Sequence, residues 1–513
     1  MRPFGRTTRR YAATPIRTNH ETICGPLWNL RPTPVPPDLG GSREVAGGCR
    51  QGYRRLWFEG SRRTLLGKVQ ELLESSSADS EVAMTAVRNL ALYLTESCNL
   101  ACSYCFAANM ERQPIDEALA RDALDRLLFR SSNPAREVSV TFWGGEPLLA
   151  FDLLRSLVLY AEGRAKETGR TVRFGIPTNL TLLTETMLDF LVEHQVGISL
   201  SLDGGERAQR HRPLRGGKSS YPLVLDKLAL LERRLGKRLP GVRMTVTPGT
   251  ARDLVQNVSF FLDRGFRSVY FAAVAEAQWS LDDLAVYEQQ QRQLATAWIE
   301  ALRAGRMWLS TSWNKSLARR ELRRRGAYGG EQAVMCGAGT TMLAVDIYGD
   351  IFPCHRFAFY DKAARAHALG NVRDLPPDPP AVPQLVIDPA CIHPPEDGPD
   401  GPTHANAYQQ VCPALNCAMC GDLHRVHSRL GALAAIEERV LDTIEGQLRE
   451  EPVFQDFVER VLLPSYRWGE LSSSTIMLLS RVSSTSADTL ADKADAILQR
   501  LQQQRRDLGD SKP

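Results

Sequence analysis

No stretch of this 513-residue chain comes near the ~18 consecutive apolar residues of a membrane-spanning helix, and no signal-peptide hydrophobic region is present. Excess charge is scarce too. The 63 Lys and Arg face 59 Asp and Glu, a formal net charge of +4, and no basic run is interleaved with aromatics as in a nucleic-acid stripe. No repeat of 20–50 residues is visible, which removes solenoids and propellers. The first twenty residues lack acids altogether. Arg2, Arg6, Arg9, Arg10 and Arg17 precede the first one, Glu21, but the apolar face of an organelle transit peptide is missing, so a disordered basic tail is expected. These absences point to a soluble, cytoplasmic protein with neither nucleic acid nor membrane among its partners.

Cysteine is what the chain does have. There are eleven, an odd number, and nine fall in two groups at 98–105 and 336–420, leaving Cys24 and Cys49 alone. With no export signal, grouped cysteines mean metal or redox chemistry before disulfides.

Residues 1–85 read as an N-terminal arm, Pro-, Gly- and Arg-rich over 1–50, and a small helical region, with a short strand or turn and then a helix within 53–75. From about residue 87 the pattern is regular. Strand-like runs at 89–95, 138–143, 172–178, 197–203, 242–247 and 268–274 alternate with helical patterns such as 116–130, 221–236 and 254–265. Six such units predict a parallel α/β sheet, either an open doubly wound layer or a partial barrel, with ligands at the carboxyl ends of its strands. The βα rhythm stops near residue 305. A cysteine- and proline-rich stretch follows to about 425, and then amphipathic helices at 428–448 and 486–508 with Ser caps.

The first cysteine group is Cys98, Cys102 and Cys105 in "SCNLACSYCFAAN", directly after the first strand. Structural zinc takes four protein ligands, commonly as paired units, and three cysteines on one loop serve that poorly. A four-iron cubane held by three thiolates leaves one iron open to a small molecule. Three other motifs end neighbouring strands: Gly144-Gly145-Glu146-Pro147 the second, Thr178-Asn179 the third, and "SLDGG" the fourth. The paired glycines suit close approach of backbone to a ligand.

The C-x3-C-x2-C spacing, with Tyr104 as the aromatic before the last cysteine, resembles the radical S-adenosylmethionine (SAM) superfamily over about residues 87–280. That resemblance implies a partial (β/α)6 TIM-type barrel at 86–305. A [4Fe–4S] cluster on Cys98, Cys102 and Cys105 would have its open iron chelated by SAM, whose reductive cleavage releases a 5′-deoxyadenosyl radical. It further implies that Gly144, Gly145, Glu146 and Pro147 form the methionine-binding element, with Glu146 accepting from the ligand ammonium. Asn179, Ser201, Asp203 and Arg212 would contact the ribose and carboxylate, and Tyr104 would stack on adenine or pack in the core. Strand-end capping or a surface ion pair is the plainer account of the four polar residues.

In the second group, Cys336 and Cys354 frame "CGAGTTMLAVDIYGDIFPC", whose second half predicts a β-hairpin turning at Tyr348-Gly349-Asp350. Cys391, Cys412, Cys417 and Cys420 follow. This resembles the SPASM or twitch extension of radical SAM maturases, implying a small auxiliary-cluster domain at 306–425 with at least one auxiliary [4Fe–4S] cluster, ahead of a helical region at 426–513. It departs from the full pattern in spacing and in having six cysteines where that has seven. Six thiols complete one cluster, not two; His355, His393 and His424 are the nearby non-thiolate candidates, and zinc at Cys412, Cys417 and Cys420 is the alternative for that trio.

The resemblance therefore implies a maturase that abstracts hydrogen from a ribosomally made peptide and installs a thioether, carbon–carbon crosslink or other oxidative change. An electron donor such as flavodoxin or ferredoxin would serve it. No winged-helix leader-binding domain is evident in residues 1–85, so a separate leader-binding partner or the C-terminal helices would take that role. An anaerobic sulfatase-maturating enzyme is the alternative activity, and a non-catalytic iron–sulfur or zinc scaffold the alternative class. Glu276, just past the sixth strand, is the candidate base; a surface carboxylate is its plainer reading.

Overall fold

The computed structural model describes residues 86–105, 114–306, 308–309, 311–326, 337–360, 366–385, 392 and 412–463. The expected helices at 53–75 and 486–508, together with Cys24, Cys49, Cys336, Cys391 and His393, lie outside the described residues.

Among the described residues the strands are β1 (Asn89–Thr95), β2 (Glu137–Gly144), β3 (Thr171–Thr178), β4 (Val196–Ser201), β5 (Gly241–Val246), β6 (Val269–Ala273), β7 (Met342–Val345), β8 (Asp350–Phe352) and β9 (Gly370–Asn371). The first six lie within two residues of the runs read from sequence. They form one sheet in the order β6-β5-β4-β3-β2-β1-β7-β8-β9. Every pairing from β1 to β6 is parallel, and each strand lies beside its predecessor. The order never reverses, so the crossovers wind in one direction: this is the wall of a partial barrel and not a doubly wound layer.

The helices between and after them are α1 (Glu117–Ala123), α2 (Phe151–Glu167), α3 (Glu185–Glu193), α4 (Glu206–Gln209), α5 (Tyr221–Leu235), α6 (Leu254–Leu262), α7 (Leu281–Arg303), α8 (Thr311–Arg324), α9 (His355–Tyr360), α10 (Pro413–Cys420), α11 (Ser428–Leu448) and α12 (Pro452–Phe457). Side chains start several of them. Asp116 accepts from Leu119 N at 3.0 Å ahead of α1, Thr184 from Met187 N at 3.2 Å ahead of α3, and Ser280 with Asp283 makes a capping box on α7. The α1 pattern runs on as a π-helical turn over Leu124–Phe129. For α11 the expected Ser cap is replaced by His427, whose Nδ1 accepts from Arg429 N at 3.1 Å.

All seven residues of β1 are buried, as its near-continuous apolar run requires of a strand flanked on both sides. One flank is β2; the other is β7, parallel and in register from Asn89↔Met342 to Leu92↔Val345. The predicted hairpin is present as β7 and β8, its turn held by Asp346 Oδ1 accepting from Tyr348 N and Asp350 N, both at 2.9 Å. Gly349 takes φ +87° there, a conformation that favours glycine. The stretch expected to open a separate small domain is thus hydrogen-bonded into the barrel sheet, where it covers the edge β1 would otherwise expose.

α11 lies against α7 and α8. Arg320 of α8 reaches Asp442 and Glu445 at 2.8 Å each and also pairs with Glu438, while Arg324 bonds Glu445 at 2.8 Å. Arg320 is 18% exposed, and two of its carboxylates, Glu438 and Glu445, are also largely withdrawn from water, while Asp442 is solvated. Removing it leaves like charges facing one another, and Arg320→Met is expected to cost about 2 kcal/mol of stability in denaturant titration, below the 3–5 kcal/mol of a fully buried pair.

Candidate functional site

The three-cysteine loop leaves β1 at Thr95 and is held on two sides by backbone. On one side Gly145 N donates to Thr95 O at 3.1 Å and Glu146 N to Ser97 O at 2.9 Å. On the other, Ala101 N donates to Pro213 O, Ser103 N to His211 O and Arg215 N to Asn99 O, all within 2.9 Å. Arg215 Nε also bonds Cys98 O at 2.5 Å. A segment without regular structure is thereby fixed between the end of β2 and the chain that follows β4.

Gly144 and Gly145 are needed for this, though not as the sequence suggested. A Cβ on Gly144 would lie 2.5 Å from Thr95 O; one on Gly145 would lie 2.3 Å from Ser97 O and 2.8 Å from Cys98 Cβ. The close approach these glycines permit is that of the cysteine loop's own backbone.

Glu146 is 1% exposed. Its Oε1 accepts from Thr178 Oγ1 at 2.7 Å and Leu148 N at 3.1 Å, and its Oε2 from Asn179 N at 2.7 Å. Burial pushes its carboxyl pKa up, and these hydrogen bonds offset part of the rise. Glu146 therefore joins the ends of β2 and β3 and caps the short turn Pro147–Ala150. Asn179 is likewise engaged. Its Nδ2 donates to Asn99 Oδ1 at 2.9 Å and lies 3.9 Å from Cys98 Sγ, while its Oδ1 accepts from Thr181 Oγ1 at 2.6 Å and Thr181 N at 3.1 Å. Leu180 between them has φ +72°, a left-handed conformation that costs a branched side chain about 1 kcal/mol or more and persists only where neighbours enforce it.

Tyr104, Asp203 and Arg212 form a second set. The Tyr104 hydroxyl donates to Asp203 Oδ2 and accepts from Arg212 Nη1 at 2.7 Å; Asp203 Oδ1 accepts from Thr245 N at 3.0 Å and lies 3.6 Å from Arg212 Nη1. Burial raises the Asp203 pKa, and the Arg212 charge works against it. The loop's aromatic is thus locked to β4 and β5 by its hydroxyl. Ser201, half-buried at the end of β4, makes no side-chain hydrogen bond to the described residues.

Cys98 and Cys102 are half-buried and Cys105 is exposed. Burial pushes the Cys98 thiol up to about 11 and raises the Cys102 thiol also. Thiolates in such surroundings need a cation, which the irons of a cluster supply. Three thiols on one loop are one short of the four protein ligands of a structural zinc site and suit a cubane that keeps one iron open.

In the second field, Cys354 is buried at the end of the hairpin, and α9 after it packs on α10, which carries Cys417 and Cys420 and begins at Cys412. Of the histidines weighed, His355 stacks on Trp143 at 4.2 Å and His424 lies 3.8 Å from Asp422. The histidine beside a cysteine is one the sequence reading missed: His367 Nε2 is 3.6 Å from Cys417 Sγ. Glu276, after β6, pairs with Arg356 of α9 at 3.4 Å, tying the barrel rim to the cysteine-rich segment. Asn99, Thr181 and Arg215 were missed as well. Asn99 stands inside the cysteine motif and could have been read; nothing in its residue type marks Arg215.

Residues 92–261 match the radical SAM superfamily. An uncharacterized protein of Methanocaldococcus jannaschii is 31% identical over 36% of this chain and 62% of its own length. The serine-type anaerobic sulfatase-maturating enzyme of Klebsiella aerogenes is 33% identical over 27% of this chain and 35% of its own. The chain thus spans less than two thirds of either relative. The solved structure of native anSMEcpe with bound AdoMet and Cp18Cys peptide superposes with a TM-score of 0.55 over 72% of this chain and 99% of that one, at 18% identity, a likeness of fold. Among the described residues no helix is long and apolar enough to cross a membrane. From within β1 to the end of α6, with its three cysteines clamped at the barrel rim, the chain carries a radical SAM domain.

Proposed function

We propose that the chain is a radical SAM maturase acting on a peptide or protein substrate. The observation that carries this reading is the three-cysteine loop, hydrogen-bonded between the β2 rim and the segment after β4 so that its thiols stand at the carboxyl ends of the strands. Cys98, Cys102 and Cys105 would hold a [4Fe–4S] cluster; with SAM bound, that centre supplies the 5′-deoxyadenosyl radical. Gly144 and Gly145 seat the loop, Glu146 and Asn179 brace it from β2 and β3, and Asp203 with Arg212 fixes Tyr104. The Ser201 hydroxyl is left to meet the ligand. Cys336, Cys354, Cys391, Cys412, Cys417 and Cys420 would serve at least one auxiliary cluster. Two relatives support the substrate class: one is named for sulfatase maturation and another was solved with AdoMet and a peptide. An oxidative crosslink or related change on a ribosomally made peptide in the cytoplasm, with flavodoxin or ferredoxin as electron donor and a separate leader-binding partner, is the finer form of the proposal.

The test is 5′-deoxyadenosine release by the anaerobically reconstituted, reduced protein given SAM, against a Cys98/Cys102/Cys105→Ala variant. Release by the unaltered protein alone is expected; equal signals from both sink the reading. Presenting Cys- or Ser-containing sulfatase peptides separates sulfatase maturation, which would yield formylglycine, from other chemistry. Glu276 enters as the candidate base, and full turnover by Glu276→Gln would remove it.

A further inference from the structure

We propose that the segment 210–218, laid along the three-cysteine loop, is the docking surface for the electron donor, a small acidic one-electron carrier of the flavodoxin kind. The proposal rests on the reading above that Cys98, Cys102 and Cys105 hold a reducible cluster. Between Glu206 and Asp226 the chain has no acid, yet it carries Arg207, Arg210, His211, Arg212, Arg215 and Lys218. The fold sorts these cations. Arg212 is buried on Tyr104 and Asp203, and Arg207 pairs with Asp253 at 3.3 Å. Arg210, Arg215 and Lys218 are exposed, and none of the three meets a carboxylate among the described residues. The residues 97–105 beside them hold no acid either.

The patch is built onto the cysteine loop itself. Leu100 and Leu214 form an antiparallel bridge, flanked by the bonds from Ala101 N to Pro213 O, Ser103 N to His211 O and Arg215 N to Asn99 O. Backbones paired in this way lie about 5 Å apart. Arg215 reaches further, to Cys98 O through Nε. The chain then turns at Gly216 and Gly217, φ +96° and +82°, with Leu214 N donating to Lys218 O at 2.8 Å. A Cβ added to either glycine would meet nothing within 4 Å, so this turn stands out into solvent. On the cysteine loop the exposed residues are Ala101, Ser103 and Cys105. Uncharged loop and cationic border thus share one open face. An electron entering there crosses little more than the loop, whereas one entering at the other end must cross the barrel. Cations at the entry point steer a negatively charged donor to it, in a salt-dependent way. The step itself is a single electron transfer. The donor's reduced flavin is oxidised by one electron and the [4Fe–4S] centre reduced by one, with no covalent bond of this chain made or broken.

The test reconstitutes the full chain anaerobically and follows bleaching of the cluster by photoreduced flavodoxin in stopped flow, at several salt concentrations. The signal of a Cys98/Cys102/Cys105→Ala variant is subtracted, so that only this cluster is counted. Arg210→Glu/Lys218→Glu is compared with Lys237→Glu/Arg238→Glu, which makes the same charge change on the exposed turn before β5, at the far end of the barrel. At low salt the first variant should lose about tenfold or more in second-order rate constant, with a flattened salt dependence, and the second less than about twofold. Affinity for oxidised flavodoxin, titrated with no reductant present, should weaken in parallel. Photoreduced deazariboflavin, a small donor with no docking surface, should reduce all three proteins alike. Matching iron contents and unfolding midpoints guard against misfolding. Equal flavodoxin rates in the two charge-reversed variants overturn the docking site and leave the patch to another acidic occupant, such as the substrate. No iron in the unaltered chain, or no bleaching by deazariboflavin, overturns the cluster reading and the docking site with it.

Discussion

Gly145→Ala is expected to empty the three-cysteine loop of iron and take SAM cleavage to background. The added methyl would sit 2.3 Å from Ser97 O and 2.8 Å from Cys98 Cβ, distances real Cβ atoms do not tolerate. The obstruction is backbone on one side and a strand end on the other, so no flexible side chain can yield. Relief requires the loop to move off β2, which breaks Gly145 N to Thr95 O and Glu146 N to Ser97 O and carries Cys98 away from its two companions. Displacement on the ångström scale at a reacting centre costs about 10²-fold or more in rate, and a cluster that cannot form leaves none. Iron content and 5′-deoxyadenosine release report it. Gly163→Ala is the control. Gly163 lies inside α2 with nothing within 4 Å of its added Cβ, so the change should leave iron intact and raise stability by about 0.5–1 kcal/mol.

Asp203→Asn is expected to cost about 3–5 kcal/mol, among the largest single effects on stability in the domain. Arg212 is 7% exposed at its side chain and Asp203 2%, and Asp203 also accepts from Tyr104 and the Thr245 amide. Neutralising Asp203 strands the Arg212 charge in a dry site, the costly way to break a buried pair. Double substitution separates this from simple loss of packing. Asp203→Asn combined with Arg212→Met should be no worse than Asp203→Asn alone, because the stranded charge is gone, whereas independent contributions would add. Denaturant midpoints decide. A double variant losing the full sum would show that the pair is not coupled.

β1 was legible because a strand covered on both faces is near-continuously apolar, as in the run 89–95, and β2 and β5 because β-branched residues alternate there with polar ones. The cysteine loop was legible because its spacing is local. Partners distant in sequence were not. Gly145 was read as room for a ligand, since the residue it makes room for, Ser97, lies on another strand's exit. Tyr104, Asp203 and Arg212 were each singled out, but nothing in the chain shows that they touch. The histidines weighed as ligands were chosen for closeness to cysteines along the chain, which favoured His355, beside Cys354, over His367, beside Cys417 only after folding. α10 was missed because eight residues opening at a proline carry too little periodicity to register. The attachment of β7 to β1 was missed because parallel pairing leaves no mark at the turn.

That attachment bears on the order of assembly. β1 emerges early in synthesis, yet one of its two hydrogen-bonding partners, Met342–Val345, is made only after the whole six-strand wall. Closing so long a loop is slow, and until it closes one edge of β1 stands open. A chain cut short before Met342 would keep that edge open and offer it to the strand of another molecule.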